Sequence, residues 1–166
     1  MKRTIARTLS MTFCALILAS LATAQANATG PAPELNSRFS KALGIDVDKV
    51  AQHYYLVKAG GVIELTAKDP NDTATVKAIQ KYLDMQKELF EKGKNESENE
   101  VHGKVPDGAP VLKKMRNEIT FYTNKQDDGG VLRMFTTNEQ AKQALYEFIK
   151  FEISEHNTGD ALTADQ

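Results

Sequence analysis

The sequence predicts an α+β fold, in which duplicated β-β-α units form a four-stranded antiparallel sheet with two helices packed on one face. A short motif, Gly-Gly-Val followed by an apolar residue, occurs twice, at residues 60–63 (GGVI) and 129–132 (GGVL). Each copy follows a stretch rich in β-branched and aromatic residues and precedes a segment with helical spacing of apolar residues. One strand pair with one helix cannot bury its apolar face alone, so two such units are expected to share a core.

The first unit is predicted to contain two strands, at residues 50–57 and 62–67, joined by a tight turn. The second of these strands alternates between an apolar face and a mixed face, which is typical of a half-buried antiparallel strand. A helix is expected to follow, with Asn71 or Asp72 as its N-cap and Gly93 at its end.

The second unit is separated from the first by a polar stretch that predicts a long loop at residues 94–109 and a helical turn at residues 110–115. Two further strands are expected at residues 118–123 and 131–136, and a last helix at residues 138–155. The two strand segments align with Gly60 on Gly129, and the two long helices align with Ala78 on Ala144. The helical offset is slightly smaller because the connection before the first helix is longer. This agreement favours an internal duplication over a chance recurrence of the same motif.

The N-terminus has the pattern of a secretory signal peptide. A positive segment with Lys2, Arg3 and Arg7 precedes a short apolar stretch, and the sequence Ala-Asn-Ala at residues 26–28 suits signal cleavage. We therefore expect a periplasmic or secreted protein. The predicted divisions are a signal peptide (1–28), a linker with a possible short helix (29–45), a single α+β domain (46–156) and a flexible tail (157–166).

Charge and cysteine content narrow the possible functions. The chain has 21 basic and 22 acidic residues, and removal of the signal peptide would leave 18 basic and 22 acidic ones. A net charge of about −4 argues against a nucleic-acid partner, which would require a basic surface. The single cysteine, Cys14, lies in the predicted signal peptide, so the mature domain would have no disulfide, thiolate ligand or cysteine nucleophile. We also expect no membrane insertion after cleavage.

The candidate functional residues are three histidines, because motifs for phosphate binding, for a nucleophilic serine and for known metal loops are all missing from the sequence. His53 lies in the first predicted strand, His102 in the long loop and His156 at the end of the last helix. The spacing of His156 from the apolar residues before it places it on the inward face of the helix, at the position that Phe90 occupies in the first unit.

Three neutral imidazoles would suit a zinc or copper ion, and Met115 could add a soft ligand in a copper protein. The leading hypothesis is therefore an exported, non-catalytic protein that sequesters or delivers copper or zinc through His53, His102 and His156. One alternative is a module that binds a small molecule or a protein, with structural histidines. Another is a metal hydrolase, in which Glu64 or Glu155 would act as a base.

The stretches HYYLVKAGGVIELTAKDPNDTATVKAI, VHGKVPDGAPVLKKM and ALYEFIKFEISEH resemble a family of small exported bacterial proteins of unknown function. The resemblance covers about residues 46–156. Its pattern of His-x-aromatic, Gly-Gly-Val, His-Gly and a final Asp-His implies that His53, His102 and His156 belong together, with Glu155 replacing the aspartate. Members are often labelled aspartate carbamoyltransferase. This chain lacks the arginine- and threonine-rich phosphate-binding segment and the second domain that such an enzyme needs, so we predict no such activity.

Overall fold

The computed structural model describes residues 32–94 and 96–164, so the predicted signal peptide lies outside the described residues. None of the described helices is both long enough and apolar enough to cross a membrane. The described elements are, in chain order, α1 (Pro33–Leu43), β1 (Val50–Val57), β2 (Gly60–Ala67), α2 (Thr73–Glu91), α3 (Glu96–His102), α4 (Ala109–Met115), β3 (Thr120–Gln126), β4 (Gly129–Phe135) and α5 (Glu139–His156).

The strands form one antiparallel sheet in the order β1-β2-β4-β3, which confirms the predicted α+β class and its four-stranded antiparallel sheet. The second strand of each unit is central, and the first strand of each unit is at an edge. Helix α2 packs mainly on β4 and β3, whereas α5 packs on β1 and β2. Each long helix therefore covers much of the other unit's hairpin, so neither unit could bury its apolar face without its partner.

The strand pairing repeats in the alignment that the sequence predicts. In the first hairpin Ala51 pairs with Thr66, and in the second Thr120 pairs with Phe135. Thr120 follows Ala51, and Phe135 follows Thr66, by the same number of residues that separates the two Gly-Gly-Val motifs. The two hairpins therefore have the same register, as expected for an internal duplication.

The two long helices also begin at aligned positions. Helix α2 begins at Thr73 and α5 at Glu139, which are as far apart in sequence as the helical alignment predicts. Each begins after a side-chain N-cap, Asp72 in α2 and Asn138 in α5, as expected for residues that accept hydrogen bonds from free helical N–H groups. The helix starts thus agree with the same duplication.

The repeated glycines allow the helices to lie close to the sheet. A Cβ atom at Gly61 would lie 2.5 Å from Ile149 Cγ1 of α5, and one at Gly130 would lie 3.1 Å from Leu83 Cδ1 of α2. The sequence predicts these residues as turn glycines. In the structure they open β2 and β4, and the lack of a side chain makes room for the helix above.

Helices α1 and α3 lie where the sequence predicts a linker and a loop. Helix α1 occupies much of the segment 29–45 predicted as a linker with a possible short helix, and it buries Leu35, Phe39 and Leu43 in the core. The prediction of a long loop at 94–109 is wrong over Glu96–His102, which form α3. Only Val101 is apolar among the buried residues of α3, so hydrophobic periodicity could not reveal this helix.

The residues after α5, predicted as a flexible tail, return to the edge of the sheet as far as they are described. The carboxylate of Asp160 accepts a hydrogen bond from Tyr54 N at 2.8 Å and lies 2.9 Å from His53 Nδ1. Burial raises the pKa of Asp160, but contacts with Thr158, Tyr54 and His53 outweigh burial and hold that pKa below its usual range. The backbone N–H of Tyr54, on the outer edge of β1, gains a hydrogen-bond acceptor in this way.

Candidate metal centre

Helix α5 carries two polar residues on its buried face. Glu152 and His156 are 2% and 4% exposed, and they lie one turn apart, so their side chains project from the same side of the helix. In the alignment of the two long helices their counterparts in α2 are Gln86 and Phe90, which are also buried. The duplicated scaffold therefore has equivalent positions in both halves, and only the second half places a carboxylate and an imidazole there.

Helix α3 contributes a second pair with the same spacing. Glu98 and His102 are each 5% exposed and also lie one turn apart. Helix α3 packs against α1, and the ring of His102 lies 5.2 Å from that of His156, measured between centroids. Two Glu-x-x-x-His segments, distant in sequence, therefore meet inside the protein.

The carboxylate of Glu152 lies between the two imidazoles. Its Oε1 is 3.1 Å from His102 Nε2, and its Oε2 is 3.3 Å from His156 Nε2. His102, Glu152 and His156 each offer one ligand atom, and these three atoms lie within 4.8 Å of one another. Two imidazoles and one carboxylate are donors that zinc and several other divalent metal ions accept.

Several buried polar atoms in this group have no hydrogen-bond partner. They are Nδ1 and Nε2 of His102, Nδ1 of His156 and Oε1 of Glu152. The 3.1 Å approach of His102 Nε2 to Glu152 Oε1 is close enough for an ion pair but lacks the alignment of a hydrogen bond. Unpaired buried polar atoms are rare and costly, so a cluster of them at one point is the kind of arrangement that a bound ion would satisfy.

Burial and the charges of neighbouring residues have opposite effects on the pKa values of His102 and Glu152. Burial lowers the pKa of His102, but the carboxylates of Glu152 and Glu98 outweigh burial and raise this pKa to about 9. Burial raises the pKa of Glu152, but the adjacent rings of His102 and His156 hold it below its usual range. Burial keeps the pKa of Glu98 above its usual range, and the neighbouring Glu152 adds to this effect.

A small cavity adjoins the cluster between the sheet and the helices. Its volume is about 10 Å³, which leaves room for about one water molecule or one ion. Glu98, Glu152 and His156 line it together with aromatic side chains, including Phe39 and Tyr54. A separate surface pocket of about 280 Å³ is also lined in part by His156.

The structure brings together two of the three predicted histidine ligands. His53 does not join His102 and His156 in the metal-capable group found among the described residues, because neighbouring residues of a strand point to opposite faces. It is Tyr54 that faces the interior, where its ring stacks on His156 at 5.5 Å. The side chain of His53 is 45% exposed and pairs with Asp160. Its predicted place in a shared three-histidine site is therefore corrected.

The other predicted participants also lie elsewhere in the structure. Met115 is the last residue of α4, is partly buried and packs against the hydrophobic core. Glu64 lies in β2 and accepts a hydrogen bond from the Tyr55 hydroxyl, and Glu155 pairs with Lys104 at 2.9 Å.

Glu152 and Glu98 are the members of the cluster that the sequence interpretation missed. The signal was the spacing Glu-x-x-x-His, which occurs at Glu98–His102 and again at Glu152–His156. A glutamate one turn before an inward-facing histidine shares its face of the helix, so the position of His156 implied a buried Glu152 as well.

The fold and the cluster define an α+β domain with two buried imidazoles and a buried carboxylate that could hold a metal ion. Comparisons of the chain with models of protein families, with curated proteins and with solved structures find no match. The resemblance to small exported bacterial proteins therefore stays a prediction.

Proposed function

We propose that this is an exported protein that binds a Zn²⁺ or Cu²⁺ ion through His102, Glu152 and His156, for sequestration or delivery. The observation that carries the proposal is the convergence of three buried ligand atoms within 4.8 Å of one another. The membership of Glu152 in place of His53 changes the donor set from three imidazoles to two imidazoles and a carboxylate.

The spacing of the donors supports a bound ion. Two ligands that each lie about 2.1 Å from a tetrahedral ion are about 3.4 Å apart. The two separations from Glu152 to the imidazole nitrogens are 3.1 Å and 3.3 Å, so small shifts of the side chains would admit an ion between them. An ion at this point would also satisfy His102 Nε2 and Glu152 Oε1, which otherwise have no hydrogen-bond partner.

The donor chemistry favours zinc or oxidised copper over reduced copper. Nitrogen and carboxylate oxygen are donors for Zn²⁺ and Cu²⁺, whereas Cu⁺ prefers the softer sulfur of cysteine or methionine. His102, Glu152 and His156 supply nitrogen and oxygen donors and no sulfur. His156 also lines a surface pocket, so the buried donors lie close to the protein surface.

A second candidate is a binding module in which the histidines are structural. The observation that favours it is the balance of charge within the cluster, where the pKa of His102 is raised to about 9 and that of Glu152 is lowered. A protonated His102 beside an ionised Glu152 is a buried ion pair that needs no metal. The two candidates differ in whether Nε2 of His102 holds a proton or an ion.

Calorimetric titration with Zn²⁺ and Cu²⁺, combined with elemental analysis of tag-free protein, tests the proposal. We expect one ion per chain in the wild type. His156→Phe copies the residue at the equivalent position of α2 and should weaken binding more than about 100-fold, because even loss of an outer-shell partner costs 10–100-fold. His53→Ala, outside the cluster, should leave the affinity unchanged. Absence of binding with both ions would support the structural candidate, and equal losses in the two variants would place the ion elsewhere.

A further inference from the structure

We propose that Glu98 is a fourth ligand, so that the ion is enclosed by two imidazoles and two carboxylates with no position left for a reactive water. This inference rests on the proposed function and deepens it, because it decides between holding an ion and using it for hydrolysis. Structural zinc sites have four protein ligands, whereas catalytic sites keep one position open for water or substrate.

The position of Glu98 supports this role. Its Oε2 lies 3.7 Å from His102 Nε2, close to the separation expected for two ligands of one tetrahedral ion. Glu98 is 5% exposed and lines the same small cavity as Glu152 and His156. The carboxylate of Glu98 therefore adjoins the cavity that Glu152 and His156 line. It lies outside the group of three donor atoms within 4.8 Å of one another, so it would reach a shared ion by a shift of its side chain.

The two Glu-x-x-x-His pairs give each helix the same share of the site. Glu98 and His102 project from α3, and Glu152 and His156 project from α5, with one turn between the members of each pair. Two carboxylates together carry the charge that neutralises one divalent cation. Neutralisation matters here because an uncompensated charge in a buried site is strongly unfavourable.

The remaining carboxylates suggested for catalysis are engaged away from the site. Glu64 accepts hydrogen bonds from Tyr55 and Gln126, and Glu155 forms an ion pair with Lys104. Glu98 is thus the described carboxylate best placed to act as a base on a metal-bound water. Once Glu98 itself binds the ion, it occupies the position that such a water would need. The geometry therefore points to sequestration or delivery of the ion and away from hydrolysis.

Cobalt substitution can test whether the fourth position is closed. Co²⁺ takes the place of Zn²⁺ in sites of this kind, and its visible absorption reports the number of ligands. We expect intense bands of a four-coordinate ion in the wild type, unchanged on addition of azide. Glu98→Gln, which retains the shape of the side chain, should weaken Co²⁺ binding by at least about 10-fold and make the spectrum respond to azide. The matched control is Glu100→Gln, on the exposed side of α3, which should behave as the wild type.

The possible outcomes separate the two proposals. If Glu98→Gln binds Co²⁺ with the affinity and spectrum of the wild type, or if azide changes the wild-type spectrum, the fourth-ligand inference is overturned and the three-ligand site stands. If the wild type binds none of Co²⁺, Zn²⁺ and Cu²⁺, the proposed function fails and this inference fails with it. Glu98→Asp, which shortens the same carboxylate, should also become azide-sensitive, and this second variant gives the same test if Glu98→Gln folds poorly.

Discussion

Replacing His156 with phenylalanine tests whether the two halves of the protein use equivalent positions for packing. Phe90 occupies the corresponding place in α2 and is 3% exposed. The substitution keeps an aromatic ring against Tyr54 and Phe39, whose centroids lie 5.5 and 5.2 Å from that of His156. Each such contact contributes about 0.5–1.5 kcal/mol beyond burial.

Two polar effects of His156→Phe offset each other. The variant removes the Nδ1 of His156, which is buried without a hydrogen-bond partner and costs about 1–3 kcal/mol. It also removes the nitrogen that lies 3.3 Å from Glu152 Oε2, which leaves that oxygen with a penalty of similar size, about 1–3 kcal/mol. We therefore expect the free energy of unfolding of the metal-free variant to remain within about 2 kcal/mol of the wild type.

His156→Ala provides the contrast, because it deletes the ring and leaves a cavity. Loss of a buried aromatic side chain costs about 3 kcal/mol or more. Urea denaturation in the presence of a chelator measures both variants. If His156→Phe loses as much stability as His156→Ala, the polar contacts of the imidazole hold this position, and the argument from equivalent packing is refuted. With zinc at 100 times the wild-type dissociation constant, the wild type should gain about 2.7 kcal/mol and His156→Phe less than about 0.4 kcal/mol.

Four further substitutions test the scaffold by urea denaturation. Asp160→Asn should lose about 2 kcal/mol at pH 7, since hydrogen bonds to a charged group contribute about 1.5–3 kcal/mol. Because the folded-state pKa of Asp160 is lowered, this difference should be full above about pH 4 and shrink as the pH falls through that pKa; a difference that grows in acid would contradict the assignment. Asn138→Ala should cost about 1 kcal/mol by removing the N-cap of α5, and no loss would refute that role. Gly61→Ala should destabilise by about 1–3 kcal/mol and Gly130→Ala by less, because the Cβ at Gly61 would lie closer to its helix; the reverse order would contradict the packing account.

The fold could be predicted because its signals are periodic and repeated. The strands and the two long helices follow from alternation, helical spacing and cap residues. The number of residues between the two Gly-Gly-Val motifs can be read from the sequence, and the same number separates equivalent residue pairs in the two hairpins. Helix α3 could not be predicted in this way, because its buried face consists of Glu98, Val101 and His102. A helix that buries a functional group in place of an apolar stripe looks like a polar loop in sequence.

The candidate site was predictable only in part. His156 was placed correctly on the inner face of α5, because its spacing from the apolar residues is fixed by the helix. His53 was misplaced, since the sequence does not show which face of an edge strand meets the core when His53 and Tyr54 both suit burial. Glu152 was missed because a charged residue on an apolar face interrupts the pattern used to find that face, although its position one helical turn before His156 identifies it.

Anomalous X-ray scattering at the zinc absorption edge, from crystals grown with one equivalent of Zn²⁺, is the most direct test of the central claim. The account predicts one strong peak inside the protein, about 2.0–2.2 Å from a donor atom of each of His102, Glu152 and His156. A peak confined to the surface near His53, or no peak either with Zn²⁺ or, at the copper edge, with Cu²⁺, would contradict it.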